Sequence, residues 1–163
     1  MSHSNTPSSE LILETINLYV PEVVQTMAGI AATPESGNAH APQPSTLSGV
    51  TGSIGLSGKV NGMVYTAFTE KLAKTVAEKI LGGSASDQDV ADVVAELTNM
   101  VTGNLKSRLC DLGFNCALSI PSVMRGDDIT VSAKNASISV SNTYVIEGCS
   151  DTLIVQVFAA LEQ

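Results

Sequence analysis

Apolar residues at helical spacing mark the first element of the chain. Between residues 10 and 27 they recur every three or four positions, which predicts an amphipathic helix. They are Leu11, Ile12, Ile16, Tyr19, Val20, Val23, Val24 and Met27. Pro21 should kink or break this helix, because proline has no N–H and its ring clashes with the preceding turn. The stretch that follows has three prolines and no periodicity, so we expect a flexible loop over residues 28–47.

Two glycine-rich strands and a helix are predicted next. The segment "GVTGSIGLSGKVNGMVYTAF" at residues 49–68 has the pattern of two strands around a turn at Gly58–Gly62. Thr69 then precedes "EKLAKTVAEKILGG", which has apolar residues at helical spacing. Thr69 is a suitable N-cap because its hydroxyl can accept from the free N–H groups of the first turn. Gly82 and Gly83 should end the helix.

A longer helix is predicted to follow Ser86 and to include residues 91–109. Ser86 and Asp89, three positions apart, form a capping-box pattern. Acidic residues crowd the start of this helix and basic residues its end, which matches the helix dipole. They are Asp87, Asp89 and Asp92 at the start, and Lys106 and Arg108 at the end.

After Gly113 the pattern changes to a period of two, which predicts strands. The strand segments are "NCALSI", "ITVSAK", "ASISVS", "TYVIEG" and "TLIVQVFAAL", with Pro121 and "RGDD" among them. The order of elements predicts an α+β fold with a single antiparallel or mixed sheet packed against long helices. We assign residues 10–163 to this domain and expect residues 1–9 to form a disordered tail.

Composition and charge narrow the possible functions. A chain of 163 residues with 44% hydrophobic and 15% charged residues has the composition of one globular domain. The net charge of −8 disfavours binding to nucleic acid or to anionic membrane surfaces. There is no signal-peptide pattern and no apolar run of the roughly 18 residues that a membrane span needs. We therefore expect a cytoplasmic protein whose Cys110, Cys116 and Cys149 are reduced; a Cys110–Cys116 redox pair is the alternative.

The polar face of the helix at residues 91–109 is unusual. At about 100° per residue, five residues share one arc: Asp92, Glu96, Asn99, Gly103 and Lys106. The opposite arc is apolar and holds Val90, Val93, Val94, Leu97, Met100, Val101 and Leu105. Asn and Gly are weak helix formers, and a glycine leaves a gap that a partner could enter. The commoner explanation of such a face is an ordinary solvated surface; the functional one is a docking site.

The histidines offer little catalytic chemistry. His3 and His40 lie in Pro- and Ser-rich segments that we expect to be disordered. Neither a histidine-based triad nor a metal site can therefore be assembled from the sequence. We predict that this chain itself binds no metal and no cofactor.

One sequence signature resembles that of a known family. It is Asp92-x3-Glu96-Leu-x-Asn99-Met100-x2-Gly103-Asn104-x-Lys106, and it is similar to the motif of the CheX/CheC/FliY family of response-regulator phosphatases. The glycine-rich hairpin, the helix before the motif and the segment "LSIPSVMRGDD" after it are also similar to that family. The resemblance covers roughly residues 10–163.

Within this family the chain most resembles CheX. CheC-type members carry Glu-x2-Asn twice, on two related helices. Here the first helix offers Glu14 and Asn17 without the Met and Gly that follow the motif. We interpret that pair as a chance match, because it borders the apolar stripe of a helix that must pack.

The resemblance implies an activity, hydrolysis of the aspartyl phosphate of a CheY-like response regulator. Asn99 would orient the attacking water and Glu96 would pair with a lysine of the regulator, and these two are the predicted catalytic residues. Asp92, Gly103 and Lys106 are the predicted partner-binding residues. Mg²⁺ is expected in the regulator. The alternative is a non-catalytic module of the same fold that binds a response regulator or serves as a scaffold.

A homodimer is also predicted. From Ala136 to Ile146 there is no Lys, Arg, Asp, Glu or Pro, so this strand would be hazardous as an exposed edge. Pairing with the same strand of a second copy would remove the hazard, and the resemblance implies a dimer whose sheet continues across the interface. The alternative is that the first helix or the segment 28–47 covers this edge.

Overall fold

Three helices and seven strands make up the described part of the chain, residues 6–162 of a computed structural model. In order they are α1 (Ser9–Ala28), β1 (Ala32–Pro34), β2 (Ser45–Gly58), β3 (Val60–Phe68), α2 (Glu70–Leu81), α3 (Asp87–Asp111), β4 (Cys116–Leu118), β5 (Ser122–Val131), β6 (Ile138–Ile146) and β7 (Thr152–Leu161). The strands form one antiparallel sheet in the order β1-β6-β7-β3-β2-β4, with β5 also paired to β2. The predicted α+β fold is therefore confirmed.

The second and third helices begin at the predicted caps. The Thr69 hydroxyl accepts from the Leu72 N–H at 3.1 Å. The Ser86 hydroxyl accepts from the Asp89 N–H at 3.1 Å, and the Asp89 carboxylate accepts from the Ser86 N–H at 2.9 Å. This reciprocal pair is the predicted capping box. Gly82 ends α2 in the left-handed conformation, with a φ of 73°.

The first helix starts inside the predicted N-terminal tail. The Ser8 hydroxyl accepts from the Leu11 N–H at 3.1 Å, so α1 begins at the next residue. Ser8 and Ser9 are therefore the cap and the first residue of α1 rather than part of a tail. Residues 1–5, which include His3, lie outside the described residues.

Pro21 does not break α1, which is one helix from Ser9 to Ala28. Four residues around the proline are buried: Ile16, Val20, Val23 and Val24. A proline removes one helical hydrogen bond, whereas each fully buried aliphatic side chain contributes about 1.5–3 kcal/mol. Burial against the sheet therefore outweighs the local cost of the proline.

The segment 28–47 is not a structureless loop. It contains β1, which pairs with β6. Farther along, the backbones of Asn38 and Ser141 exchange hydrogen bonds of 2.8 and 3.0 Å, and the Ala41 N–H donates to the Ser139 oxygen at 2.8 Å. Periodicity missed this segment because it is held by backbone hydrogen bonds rather than by a regular apolar face.

The same segment corrects the predicted dimer edge. β6 pairs with β7 on one side and with β1 on the other, so it is not an edge of the sheet. The alternative, in which segment 28–47 covers it, is the arrangement observed. Ile138 and Val140 are 6% and 0% exposed, so their side chains belong to the core and not to an interface.

β4 and β5 form the opposite border of the sheet. Leu56 pairs with Leu118 and Ser53 with Ser122. Between these two pairs β2 advances by three residues, whereas the chain from β4 to β5 advances by four. The extra residue defines a one-residue bulge. The bulge holds Ile120, which is 84% exposed. Within residues 6–162 no strand pairs with the outer side of β4 or β5.

The helices cover one face of the sheet and enclose the main core, while the other face carries a smaller core. That second core contains Leu47, Tyr65, Ala67, Val131 and Phe158. The start of β2 crosses this outer face, since the Ser45 hydroxyl donates to the Gln156 side-chain oxygen on β7 at 3.1 Å. The strand bends at Gly49, where φ is 99° and the register with β5 shifts.

Candidate functional site

The apolar arc of α3 is buried as predicted. Val90, Val93, Val94, Leu97, Val101 and Leu105 are buried and Met100 is half-buried. Thr98 and Thr102 are also fully buried on this side, which the apolar pattern did not show. Because one side of α3 is fixed by burial, the direction of its opposite side is fixed as well.

The five predicted site residues lie along the outward side of α3. Asp92, Glu96 and Asn99 are exposed, and Gly103 and Lys106 are partly exposed. At a rise of about 1.5 Å per residue, they form a stripe about 20 Å long. We call these five residues the α3 stripe. The structure brings all of them onto one surface.

The middle of the α3 stripe is open to a partner. Within residues 6–162, neither the Glu96 nor the Asn99 side chain has a hydrogen bond or an ion pair. Nearer the start of the helix, the Asp92 carboxylate accepts from the Gln88 amide at 2.8 Å. A Cβ added at Gly103 would meet no atom within 4 Å. A partner can therefore approach the backbone closely at this glycine.

Arg125 on β5 ties the sheet to the starts of α2 and α3. Its guanidinium donates to the Glu70 carboxylate at 3.1 Å and to the Asp87 backbone oxygen at 2.6 Å. Arg125 is only partly exposed, with 32% of its side chain accessible. Arg125 could not be predicted from the sequence, because an isolated arginine in a turn-like "RGDD" gives no local sign of its partners. Its contacts fix the N-terminal end of the helix that carries the α3 stripe.

Lys106, at the other end of the stripe, influences the thiol of Cys116. Burial raises the pKa of the Cys116 thiol, the nearby Cys110 raises it further, and Lys106 lowers it. Cys110, Cys116 and Cys149 are all free thiols in this structure.

Asn17, unlike Asn99, makes side-chain hydrogen bonds within the protein. Its side-chain oxygen accepts from the Tyr144 hydroxyl and from the Asn142 amide, both at 2.7 Å. Burial strongly raises the pKa of Tyr144, so the hydroxyl remains protonated and donates. The interpretation of Glu14 and Asn17 as a chance match is supported, because the half-buried Asn17 has its side-chain oxygen occupied by two internal donors.

His40 is described and has a partner, contrary to the expectation that it lies in a disordered segment. Its Nε2 is 3.2 Å from a carboxylate oxygen of the exposed Glu10. Among residues 6–162, no group of three or more His, Cys, Asp or Glu residues converges in a way that could hold a metal ion. In the same residues no helix is long and apolar enough to cross a membrane.

Four clefts within residues 6–162 contain no residue of the α3 stripe. The most voluminous of the four, about 440 Å³, is lined in part by Ile30, Lys79 and Glu147. A cleft of about 330 Å³ lies between α1 and the end of α3, lined in part by Leu18, Tyr19 and Arg108. Another, of about 260 Å³, lies between α2 and the β6–β7 turn, lined in part by Lys71 and Asp151. The stripe itself is a convex helix surface, and such a shape suits contact with another protein better than enclosure of a small molecule.

Solved structures place this architecture in the CheC/CheX class of proteins. A chemotaxis protein CheX from Desulfovibrio desulfuricans matches with a TM-score of 0.79 and 27% identity, covering 93% of this chain and 99% of that one. A chain of the CheX–CheY–BeF₃–Mg²⁺ complex from Borrelia burgdorferi matches with a TM-score of 0.68 and 20% identity. The match covers 91% of this chain and 97% of that one. This second likeness concerns the fold.

Sequence comparison identifies the family. The model of the family described as chemotaxis phosphatase CheX matches residues 50–144, which is more than half of the chain. The protein therefore belongs to the CheX family, as its helix motif predicted. The CheY-P phosphatase CheX of Thermotoga maritima is 26% identical over 124 residues, covering 71% of this chain and 78% of that protein.

Proposed function

We propose that this protein is a phosphatase that hydrolyses the aspartyl phosphate of a CheY-like response regulator. The observation that carries the proposal is the pair Glu96 and Asn99, exposed and without intramolecular partners on one face of α3. The Thermotoga maritima relative is a CheY-P phosphatase, and the Borrelia burgdorferi complex joins CheX to CheY. Both support a response regulator as the partner.

The chemistry needs a positioned water. In a phosphorylated response regulator, Mg²⁺ and a lysine already neutralise the phosphoryl charge, so hydrolysis lacks only a water in line with the breaking P–O bond. An amide oxygen inserted from outside can accept a hydrogen bond from that water and orient it. We assign this role to Asn99. An amide does not titrate near neutral pH, so no histidine or cysteine is required.

Docking is assigned to the remainder of the α3 stripe. The Glu96 carboxylate pairs with a lysine of the regulator, which fixes the register of insertion through a charge-assisted hydrogen bond. Asp92 and Lys106 flank it with opposite charges, and Gly103 leaves room for the regulator's backbone. Mg²⁺ belongs to the regulator, in keeping with the presence of Mg²⁺ and CheY together in the Borrelia burgdorferi complex.

The test is the rate of phosphate loss from candidate CheY-like regulators, with and without this protein. We expect acceleration with the cognate regulator and its loss when Mg²⁺ is chelated. Calorimetry of the isolated protein with Mg²⁺ should then show no tight site. If a BeF₃-activated regulator binds but its phosphorylated form is not hydrolysed faster, the protein is the non-catalytic binding module instead.

We also propose that the protein is cytoplasmic, because the response regulators on which it would act are cytoplasmic signalling proteins. We propose in addition that it forms a homodimer. The β6 edge cannot form the interface, since β1 covers it. We place the interface at the border formed by β4 and β5, where the exposed Ile120 on the bulge offers an apolar contact.

A further inference from the structure

A polar contact is buried beneath the α3 stripe. The hydroxyl oxygens of Thr66 on β3 and Thr98 on α3 are 2.5 Å apart, and the Thr98 hydroxyl also contacts the Val94 backbone oxygen of its own helix at 2.7 Å. Thr66 is 1% exposed and Thr98 is 0% exposed. This is the one side-chain hydrogen bond between α3 and the central strands of the sheet in the described chain.

A glycine allows this contact to be so close. Gly52 on β2 pairs with Thr66 on β3, so both lie side by side under the helix. A Cβ added at Gly52 would overlap the Thr98 hydroxyl oxygen and would stand 3.0 Å from the Thr98 Cβ. Rotating the Thr98 side chain would therefore not remove the conflict. The missing side chain at Gly52 sets how near α3 lies to the sheet.

The apolar contacts around this hydrogen bond cannot fix the position of α3 as sharply. Val50, Ile54, Val64 and Phe68 are buried on this face of β2 and β3, and apolar packing has no preferred direction. A buried hydrogen bond has a narrow range of length and angle, and it is costly to leave unmade in an apolar core. It therefore fixes the helix along its axis and in its rotation more sharply than the apolar residues do.

We propose that Gly52, Thr66 and Thr98, which we call the threonine anchor, are positioning residues for the phosphatase reaction. Thr98 directly precedes Asn99, and Glu96 lies two residues earlier, nearly on the opposite side of the helix. A helix moves as a rigid body over one turn, so a shift of Thr98 moves Asn99 and Glu96 by the same amount. The inference rests on the proposed function and explains how this fold holds the amide in place.

Gly52→Ala tests the steric half of the anchor. Restoring an ordinary contact of about 3.5 Å requires α3 to move outward by about 1 Å, and a misplacement of that size can lower a rate by about 100-fold. We expect kcat for the phosphorylated regulator to fall by about 100-fold, with a smaller change in KM. A crystal structure of the variant should show α3 displaced from the sheet.

Thr98→Val tests the polar half without adding an atom. A methyl group cannot approach the Thr66 oxygen at hydrogen-bond distance, so the helix must shift or turn. We expect kcat to fall at least 10-fold, whereas Thr98→Ser, which keeps the hydroxyl, should stay within about threefold of the wild type. If Gly52→Ala fails to fold, the comparison of Thr98→Val with Thr98→Ser still tests the threonine anchor.

Thr102→Val is the matched control. Thr102 lies one turn further along α3 and is 0% exposed, and within residues 6–162 its hydroxyl hydrogen-bonds only to its own helix, at the Thr98 backbone oxygen at 2.7 Å. It has the same burial and chemistry but no link to the sheet, so kcat should not change. A merely structural role for buried threonines would lower the melting temperature of both valine variants and leave both kcat values intact.

The outcomes separate the two proposals. Wild-type kcat in folded Gly52→Ala or Thr98→Val overturns the anchor and leaves the phosphatase standing. An equal loss in Thr102→Val also overturns it, since the effect would not depend on the link to the sheet. A wild-type protein that accelerates hydrolysis of no regulator overturns the proposed function, and the catalytic role of the anchor with it.

Discussion

Asn17 and Asn99 carry the same amide on two helices, in opposite environments. Asn17 is half-buried and accepts from Asn142 and from the buried Tyr144, so its replacement would leave a buried hydroxyl unpaired, at a cost of about 1–3 kcal/mol. Asn99 is exposed and contributes no such bond. Spacing in the sequence cannot distinguish them, whereas the presence or absence of an internal partner does.

Asn99→Ala should therefore remove activity and leave the fold intact. We expect kcat to fall by at least about 100-fold, the scale of losing the position of a reactant, with the free energy of unfolding unchanged within about 0.5 kcal/mol. Glu96→Ala should mainly raise KM. Urea unfolding and a dephosphorylation assay check both, with Gln25→Ala, an exposed amide on α1, as the control. Near-wild-type kcat in Asn99→Ala would refute the mechanism.

Gly103→Ala should make the protein more stable but less active. A Cβ at this position meets no atom within 4 Å, and alanine favours a helix interior over glycine by about 1 kcal/mol. The variant should be more stable by about 0.5–1 kcal/mol. It should nonetheless be less active, because the regulator loses its close approach to the helix. A stabilised variant with unchanged kcat and KM would show that the gap has no role in docking.

At the scale of the elements, the most regular ones could be predicted and the irregular ones could not. α2 and α3 have capping residues and long apolar arcs, so their limits follow from local rules. β1 is a strand of three residues that includes Pro34, which an edge strand tolerates because one of its sides is unpaired. Its existence depends on β6, more than a hundred residues further along the chain.

The bend in β2 provides a test at this scale. Gly49 has a φ of 99°, and a Cβ there would overlap the Phe68 carbonyl oxygen. Gly49→Ala should cost at least about 2 kcal/mol, through the left-handed backbone and the overlap together. Gly55→Ala is the matched control on the same strand, since its Cβ would make only ordinary contacts of 3.5 Å with Met63 and Ser119. Equal stabilities in urea unfolding would contradict this account of the bend.

At the scale of the whole molecule, the two borders of the sheet differ. At one border the short edge strand β1 and the backbone contacts around Asn38 cover β6. The other consists of β4 and β5, whose charged residues Arg125, Asp127 and Asp128 protect one half of it. The half around Ile120 has no such charges. We therefore expect the proposed homodimer to pair at that half.

The dimer is testable with two surface substitutions. Sedimentation should give twice the chain mass at micromolar concentration, and Ile120→Lys should give a folded monomer because the charge would be buried at the interface. Val145→Lys is the control, since Val145 is 45% exposed but lies on β6, away from this border. A wild-type monomer at high concentration would exclude the dimer without touching the phosphatase proposal. Dissociation by Val145→Lys alone would place the interface elsewhere.

Much of the candidate site could be predicted because it lies on one helix. The spacing of Asp92, Glu96, Asn99, Gly103 and Lys106 defines their common face without any tertiary information. The supporting contacts could not be predicted. Thr98 appears as an ordinary polar residue in the sequence, and its partners lie on two strands some thirty to fifty residues earlier.

By itself the sequence determined the fold class, the caps, the outward stripe of α3 and the family to which the chain belongs. These depend on local periodicity, local hydrogen bonding and a contiguous motif, so they are encoded within a few helical turns. Only the tertiary structure decided which edge of the sheet is covered and how closely α3 approaches the sheet. It also decided which asparagine side chain has internal hydrogen-bond partners. Each of these depends on backbone and side-chain contacts between residues far apart in the chain, where a single hydrogen bond or a missing Cβ sets the outcome.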